Sequence, residues 1–224
     1  MKKIFILMAM IFQMVCAFAD EMLIRKAIED MHSSVLVEKP WLSARSSALV
    51  ENADKSDEFE WVNLSDNDVA TCWCEEVRGP GINEYVLMFI DHENGLEFDY
   101  GRAQRFKNIK CHLEINNGFC KSQDLFVKNN RVKMCRVEIY DTPEVCGQYE
   151  TFIRADPVKI YDSVLELADT SETQEFEFFI KLREDNIYAG AIVLMQLTIL
   201  DVYPGTDYDD TCISEIKVYG EYAE

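Results

Sequence analysis

Histidine is scarce in this chain: His32, His92 and His112 are its whole complement among 224 residues. Cys72-Trp73-Cys74 has one intervening residue, not the two to four of a zinc knuckle, so a zinc site is not expected. Basic residues are also few. Lys and Arg number 22 against 41 Asp and Glu, a formal charge of −19. That balance excludes nucleic acid, whose phosphates need cationic partners, and anionic membrane surfaces. It reads as solubility, not as a tuned field. No GxSxG, HExxH or Walker loop occurs, and the Cys and His residues have no catalytic context. Carboxylates are abundant enough that composition leaves a glycosidase dyad open, but the same abundance dilutes the signal. There is no internal repeat, no low-complexity tract, and no second long hydrophobic run after the first.

That first run opens the chain. Lys2 and Lys3 precede an apolar stretch from Ile4 to Val15, and Ala17-Phe18-Ala19 supplies a small-x-small cleavage pattern before Asp20. The expectation is a signal peptide over residues 1–19 and a secreted, periplasmic or surface protein with no membrane insertion after cleavage. An uncleaved anchor is the alternative, though the run is short for a span. Gln13-Met14-Val15 before Cys16 is a poor lipidation sequence. Removing Lys2 and Lys3 takes the charge from −19 to −21. Residues 20–41 have a loose helical pattern, with Leu23, Ile24, Ala27, Ile28 and Met31 on one side, and read as a leader or short helix. Residues 42–224 form one domain.

Seven cysteines survive cleavage: Cys72, Cys74, Cys111, Cys120, Cys135, Cys146 and Cys212. Export permits disulfides, but an odd number cannot all pair within one chain. Cys111 and Cys135 lie in apolar strand-like runs, where a thiol behaves as a small hydrophobe. One or two bridges are expected, without assigned partners.

From Leu42 the texture is that of strands. Tyr85–Ile90 and Ile192–Leu200 are short buried runs. Ile109, Cys111, Leu113 and Ile115 alternate with polar residues, as do Val137 and Ile139, and Phe176, Phe178, Ile180 and Leu182. Ile213–Tyr219 closes the set. Period-2 segments separated by Gly, Asn, Asp and Pro predict an all-β antiparallel sandwich, and no helical pattern in the middle is long enough for βα units. Asp91–Gly101 and Pro143–Thr173 read as long loops or insertions.

Four polar stretches interrupt the strands. Asn63–Thr71 gathers carboxylate and amide oxygens that suit calcium, while the spacing alone favours an Asx-rich turn. Trp73 beside it reads as core. Gly79-Pro80-Gly81 leads to Glu84, which either accepts hydrogen bonds from a ligand or caps its own loop. Asn116–Lys133 carries the hairpin-type Asn117-Gly118, the cations Lys121, Lys128, Arg131 and Lys133, and Asn129-Asn130. Amides and guanidinium groups beside aromatics are what sugar hydroxyls require; a solvated hairpin is the alternative. Val202–Tyr219 holds Tyr203, Tyr208 and Asp210, then Glu215 between Ile213 and Ile216, where a carboxylate calls for a cation or amides. These loops look built to hold a ligand and not to transform it.

WVNLSDNDVATCW, EEVRGPGINEYVLMF, INNGFCKS, NNRVK and VYPGTDYDDTCISEIKVYG, in that order, resemble the glycan-binding (translocation) domain of bacterial NAD glycohydrolase toxins, a discoidin-like (galactose-binding-like) jelly roll. The resemblance runs from about Ser46 to Tyr219. It implies an eight-stranded sandwich without catalysis that binds a glycan or glycoprotein through loops at one end. Glu84, Asn117, Lys121, Asn129, Arg131, Tyr203 and Asp210 become the implied contacts, and Asp66, Asp68, Thr71 and Glu215 the surroundings of a structural Ca2+. Phe119 stands where that pattern carries Tyr, and Cys72, Cys74 and Cys120 are additions to it. An envelope structural or protein-interaction domain is the alternative.

Overall fold

The computed structural model describes residues 42–45, 59, 61–92, 108–146, 151–153, 158–182 and 191–223. The expected signal peptide and leader lie outside the described residues, as does Glu93–Gly101 of the acidic stretch.

Eleven strands follow in chain order: β1 Leu42–Arg45, β2 Trp73–Cys74, β3 Tyr85–Phe89, β4 Asp91–His92, β5 Asn108–Asn117, β6 Asn130–Cys146, β7 Thr151–Ile153, β8 Val158–Glu166, β9 Gln174–Lys181, β10 Ala191–Tyr203 and β11 Thr211–Ala223. A 3₁₀ turn, Trp61–Leu64, and one six-residue helix, α1 Gln123–Lys128, are the helical pieces among the described residues. The protein is all-β, as its alternating pattern predicts.

The strands form two wings. In one, β6 runs between β10 and β8, and β10 continues through β3 to β1, all antiparallel. In the other, β11 pairs with β5 and β5 with β9, again antiparallel. Inward residues of both wings share one core. Ile109, Cys111, Leu113 and Ile115 of β5, Val137 and Ile139 of β6, and Met195, Leu197 and Ile199 of β10 are all buried in it, with Trp73 beneath them. Each strand alternates because successive side chains point to opposite faces, and burying one face of each wing against the other is the sandwich solution. Burial of side chains this large stabilises by about 1.5–3 kcal/mol apiece.

Three expectations need correction. Pro143–Thr173 is not a loop: it contains the end of β6, then β7 and β8. β8 (Val-Lys-Ile-Tyr-Asp-Ser-Val-Leu-Glu) is largely exposed, so it lacks the clean apolar alternation that marks a half-buried strand. The eight strands expected become eleven among the described residues, three of them pieces of two or three residues too short to carry any period. The pairing is also not wholly antiparallel, since β11 meets β4 and the start of β6 in parallel. The β6–β11 contact, Thr211 with Asn130 and Cys212 with Arg131, joins the two wings at one end.

Candidate functional site

That joint is where the two polar connections meet. β5 ends at Asn117, and Gly118 turns the chain at φ +81°. A Cβ there would lie 2.5 Å from Arg131 Cγ, so glycine is required both for conformation and for space. The chain then enters α1. Ser122 caps it by accepting from the Leu125 N–H at 3.2 Å, Asp124 and Lys128 pair at 2.7 Å one turn apart, and Phe126 turns inward. Six residues cannot show helical periodicity, so the sequence pattern missed α1.

The second connection, between β10 and β11, lies directly on this turn. The N–H of Thr206 donates to the Val127 carbonyl, and those of Asp207 and Tyr208 donate to the Lys128 carbonyl. Asn130 is the clasp: its N–H donates to the Asp210 carbonyl, its side-chain amide to the Asp209 carbonyl, and its Oδ1 accepts from the Gly205 N–H at 2.6 Å. Gly205 approaches so closely that a Cβ would clash with the Lys128 carbonyl oxygen.

Several sequence-expected contacts hold this rim together. Asn117 is fully buried and copies a backbone unit, donating to the Val132 carbonyl at 2.6 Å and accepting from the Val132 N–H at 2.9 Å. Asn129 is buried and donates back to the Leu125 carbonyl at 2.9 Å. Arg131, 7% exposed, lies over the Phe126 ring at 5.2 Å. It grips both carboxylate oxygens of Asp169 at 3.0 and 2.8 Å and donates to the carbonyls of Asn129 and Pro204. Tyr203 is half-buried and its hydroxyl donates to the Leu167 carbonyl at 2.9 Å. Lys121 and Tyr208 are among the exposed residues of the two connections, the latter 49% exposed.

Glu84 and Asp210 sit half-buried at an adjacent corner, around a residue the sequence did not single out. Glu75 is fully buried, yet its carboxylate accepts from the N–H groups of Val77 (2.8 Å) and Thr211 (3.0 Å). A Cβ on Gly81 would press on it at 2.6 Å, which shows how tightly the Gly79–Gly81 loop covers it. Burial pushes its pKa up to about 7. The two amide donors oppose the rise, and the charges of Asp210 and Glu84 add to it. In the sequence Glu75 is one of 41 acidic residues, and nothing distinguishes it.

The expected cation ligands also converge. Thr71 Oγ1 lies 2.8 Å from both Asp66 Oδ2 and the Asp68 carbonyl oxygen, and the Asp68 N–H donates to Glu215 Oε1 at 3.0 Å. Burial pushes the Glu215 carboxyl up to about 7, helped by a hydrogen bond with Asp66 and that carboxylate's charge. Two carboxyl groups held together with a hydroxyl and a carbonyl are all-oxygen groups, the donor type a hard divalent cation takes, though fewer than the six to eight oxygens of a full calcium shell. The Asp68 carboxylate itself is engaged by the Ala70 N–H at 2.9 Å, as an Asx turn would have it.

Near both clusters, Cys74 and Cys212 form a disulfide between β2 and β11. Sequence spacing could not pair them.

Fold and rim define a β-sandwich domain that presents a loop platform at one end. A family model described as the NAD glycohydrolase translocation F5/8 type C domain matches residues 39–219. The chain belongs to that family. Among curated proteins none matches. Among solved structures the chain is similar to a fragment of a putative chitobiase from Bacteroides thetaiotaomicron (14% identity, 82% of this chain and 90% of that one, TM-score 0.47). It is also similar to an F5/8 type C domain from Bacteroides fragilis (13%, 82% and 98%, 0.41). A third is the family 32 carbohydrate-binding module of NanJ from Clostridium perfringens, solved with galactose (11%, 80% and 91%, 0.38). No helix among the described residues is long and apolar enough to cross a membrane.

Proposed function

We propose that this chain is an exported, non-catalytic module that binds a glycan or glycosylated partner at the joined loop rim. The observation that carries the reading is that the β5–β6 and β10–β11 connections are clasped together by Asn130 and by α1 carbonyls, with Lys121 exposed on the first and Tyr208 on the second. A sugar offers hydroxyls and a weakly apolar face. An exposed ring and fixed polar groups answer both, and a pre-formed platform lowers the ordering cost of binding. Tyr203, Glu84 and Asp210, half-buried at the edges, supply further polar contacts. Asn117, Asn129 and Arg131 act by holding the platform in shape. Membership of a family described as a translocation domain agrees with a non-catalytic role. The test is a glycan array probed with the purified protein. Retention of one glycan class, lost when Lys121 and Tyr208 are replaced by Ala, supports the reading. A clean negative with capture of an envelope protein supports the protein-interaction alternative.

Asp66, Thr71, Glu215 and the Asp68 carbonyl hold a structural Ca2+ in this reading. The ion would neutralise the facing carboxylates and fix the 66–71 loop to β11. A cation that binds only the native state raises stability by mass action, about 2.7 kcal/mol at a hundredfold excess over Kd, or roughly 5–10 °C in Tm for a domain this size. Melting with Ca2+ and with chelator checks it. Glu215→Gln should abolish the difference, and an unchanged wild-type Tm would remove the cation.

A further inference from the structure

Three sulfur atoms meet where β2 crosses β11. Cys74 and Cys212 are directly opposite in the ladder and disulfide-bonded. Cys72 lies outside that bond with its Sγ 3.5 Å from Cys74 Sγ, and all three sulfurs fall within 4.8 Å of one another. Cys72 and Cys74 are two residues apart on an extended segment, so they share a face, while Trp73 between them faces the main core. The three cysteines form a separate small cluster with Phe59, closed by Phe119. All three are buried. Two of the sulfurs already share a bond, so the cluster is not a thiolate cage for a metal; Cys72 Sγ lies beside that bond, and a side-chain rotation must bring it behind Cys74 Sγ, in line with the bond, before it can exchange.

We propose that Cys72, Cys74 and Cys212 form an internal thiol–disulfide exchange site. The Cys72 thiolate attacks Cys74 Sγ. A Cys72–Cys74 bond forms, the Cys74–Cys212 bond breaks, and its electron pair leaves on Cys212 Sγ, which takes up the proton Cys72 released. The oxidation level is unchanged and no outside oxidant or reductant enters. Exchange replaces a cross-link between residues 138 apart in sequence with one between near neighbours. It unties β11 from β2 at Cys212, the residue that also pairs with Arg131 of β6. The rim is thereby held by hydrogen bonds alone in one form and by a covalent latch in the other.

The experiment maps bonds and needs no ligand. The mature protein is held in non-reducing buffer from about pH 6 to about pH 9, where thiolate content changes. It is quenched in denaturant with excess N-ethylmaleimide, digested and analysed by mass spectrometry. The expected result is two isomers, one labelled at Cys72 and one at Cys212. Their interconversion should speed up by about tenfold per pH unit while the attacking thiol is mostly protonated. Cys72→Ser should show no labelled Cys212. Cys212→Ser treated with oxidised glutathione should close Cys72–Cys74, a readout that survives partial destabilisation. Label confined to Cys72 at every pH overturns the proposal. So does a Cys212 that appears bonded to Cys111 or Cys135, because that scrambling belongs to the unfolded chain.

Discussion

Asn117 acts as a substitute for backbone. Its amide exchanges two hydrogen bonds with Val132 across the β5–β6 turn, inside a fully buried site. Asn117→Ala would strand a buried N–H and a buried carbonyl together, and such groups cost about 1–3 kcal/mol each when left unpaired. The expected loss is about 2–4 kcal/mol in chemical denaturation, with the midpoint shifted and the slope kept. A loss below about 0.5 kcal/mol, the scale of an ordinary surface change, would show that Asn117 is not structural. Glu75 makes a different claim, about pH. The unfolded chain ionises this carboxyl near 4.5, whereas the folded protein holds it protonated up to about 7. A raised acid pKa favours the fold at low pH. That advantage is fully present below the unfolded value and is lost as pH climbs from about 4.5 to about 7. The shift corresponds to a decline of about 3 kcal/mol over that window. Denaturation midpoints measured from about pH 5 to about pH 8 should fall for the wild type. In Glu75→Gln, which cannot ionise, this component of the slope should vanish, although the variant starts lower because one amide donor loses its acceptor.

At the scale of elements, legibility followed burial. β5 and β9 bury alternate side chains in one core, so the apolar residues of Ile109–Ile115 and Phe176–Leu182 recur with period 2, whereas β10 and the start of β11 are buried at consecutive positions and were announced by the apolar runs Ile192–Leu200 and Ile213–Tyr219. β8 was hidden because most of it faces solvent, and α1 because one and a half turns show no period. The rim was legible in a different way. Glycine, asparagine and aspartate marked both connections as turns, and the structure does bring Asn117 and Tyr203 to the same end, with Tyr203 registered on Arg131. The division of labour within it was not legible. Asn129 and Arg131 carry the chemistry of ligand contacts, yet Asn129 spends it on Leu125 of a helix too short to show a period, and Arg131 on Asp169 and Pro204, partners far enough along the chain that spacing could not reveal them. The contact between the two connections predicts that Gly205→Ala, whose Cβ has no room beside the Lys128 carbonyl, loosens the rim at a cost of about 1–3 kcal/mol. Amide exchange should quicken at Thr206, Asp207 and Tyr208, whose N–H groups bond across that contact. Unchanged protection there would mean that the two loops are not mechanically joined.

For the whole molecule the governing facts are strong acidity and one main core shared by both wings. A charge of −19 keeps the chain apart from polyanions and from itself, so recognition has to come from a local surface and not from a long-range field. In the proposed reading the rim is that surface, with Lys121 and the Tyr208 ring exposed on it. The hydrogen bond from Asp68 to Glu215 and the disulfide both tie β11 to the segment from Asp66 to Cys74. The division predicts that losing Ca2+ or the disulfide weakens binding through stability, whereas losing Lys121 or Tyr208 weakens it directly. Calorimetric titration of the best array glycan against the wild type and the Lys121→Ala/Tyr208→Ala variant separates these most directly. The account predicts measurable binding by the wild type, and at least a tenfold loss, about 1.4 kcal/mol, in a variant whose melting temperature is unchanged. Equal affinity in the two proteins, or no glycan bound by either, would contradict it.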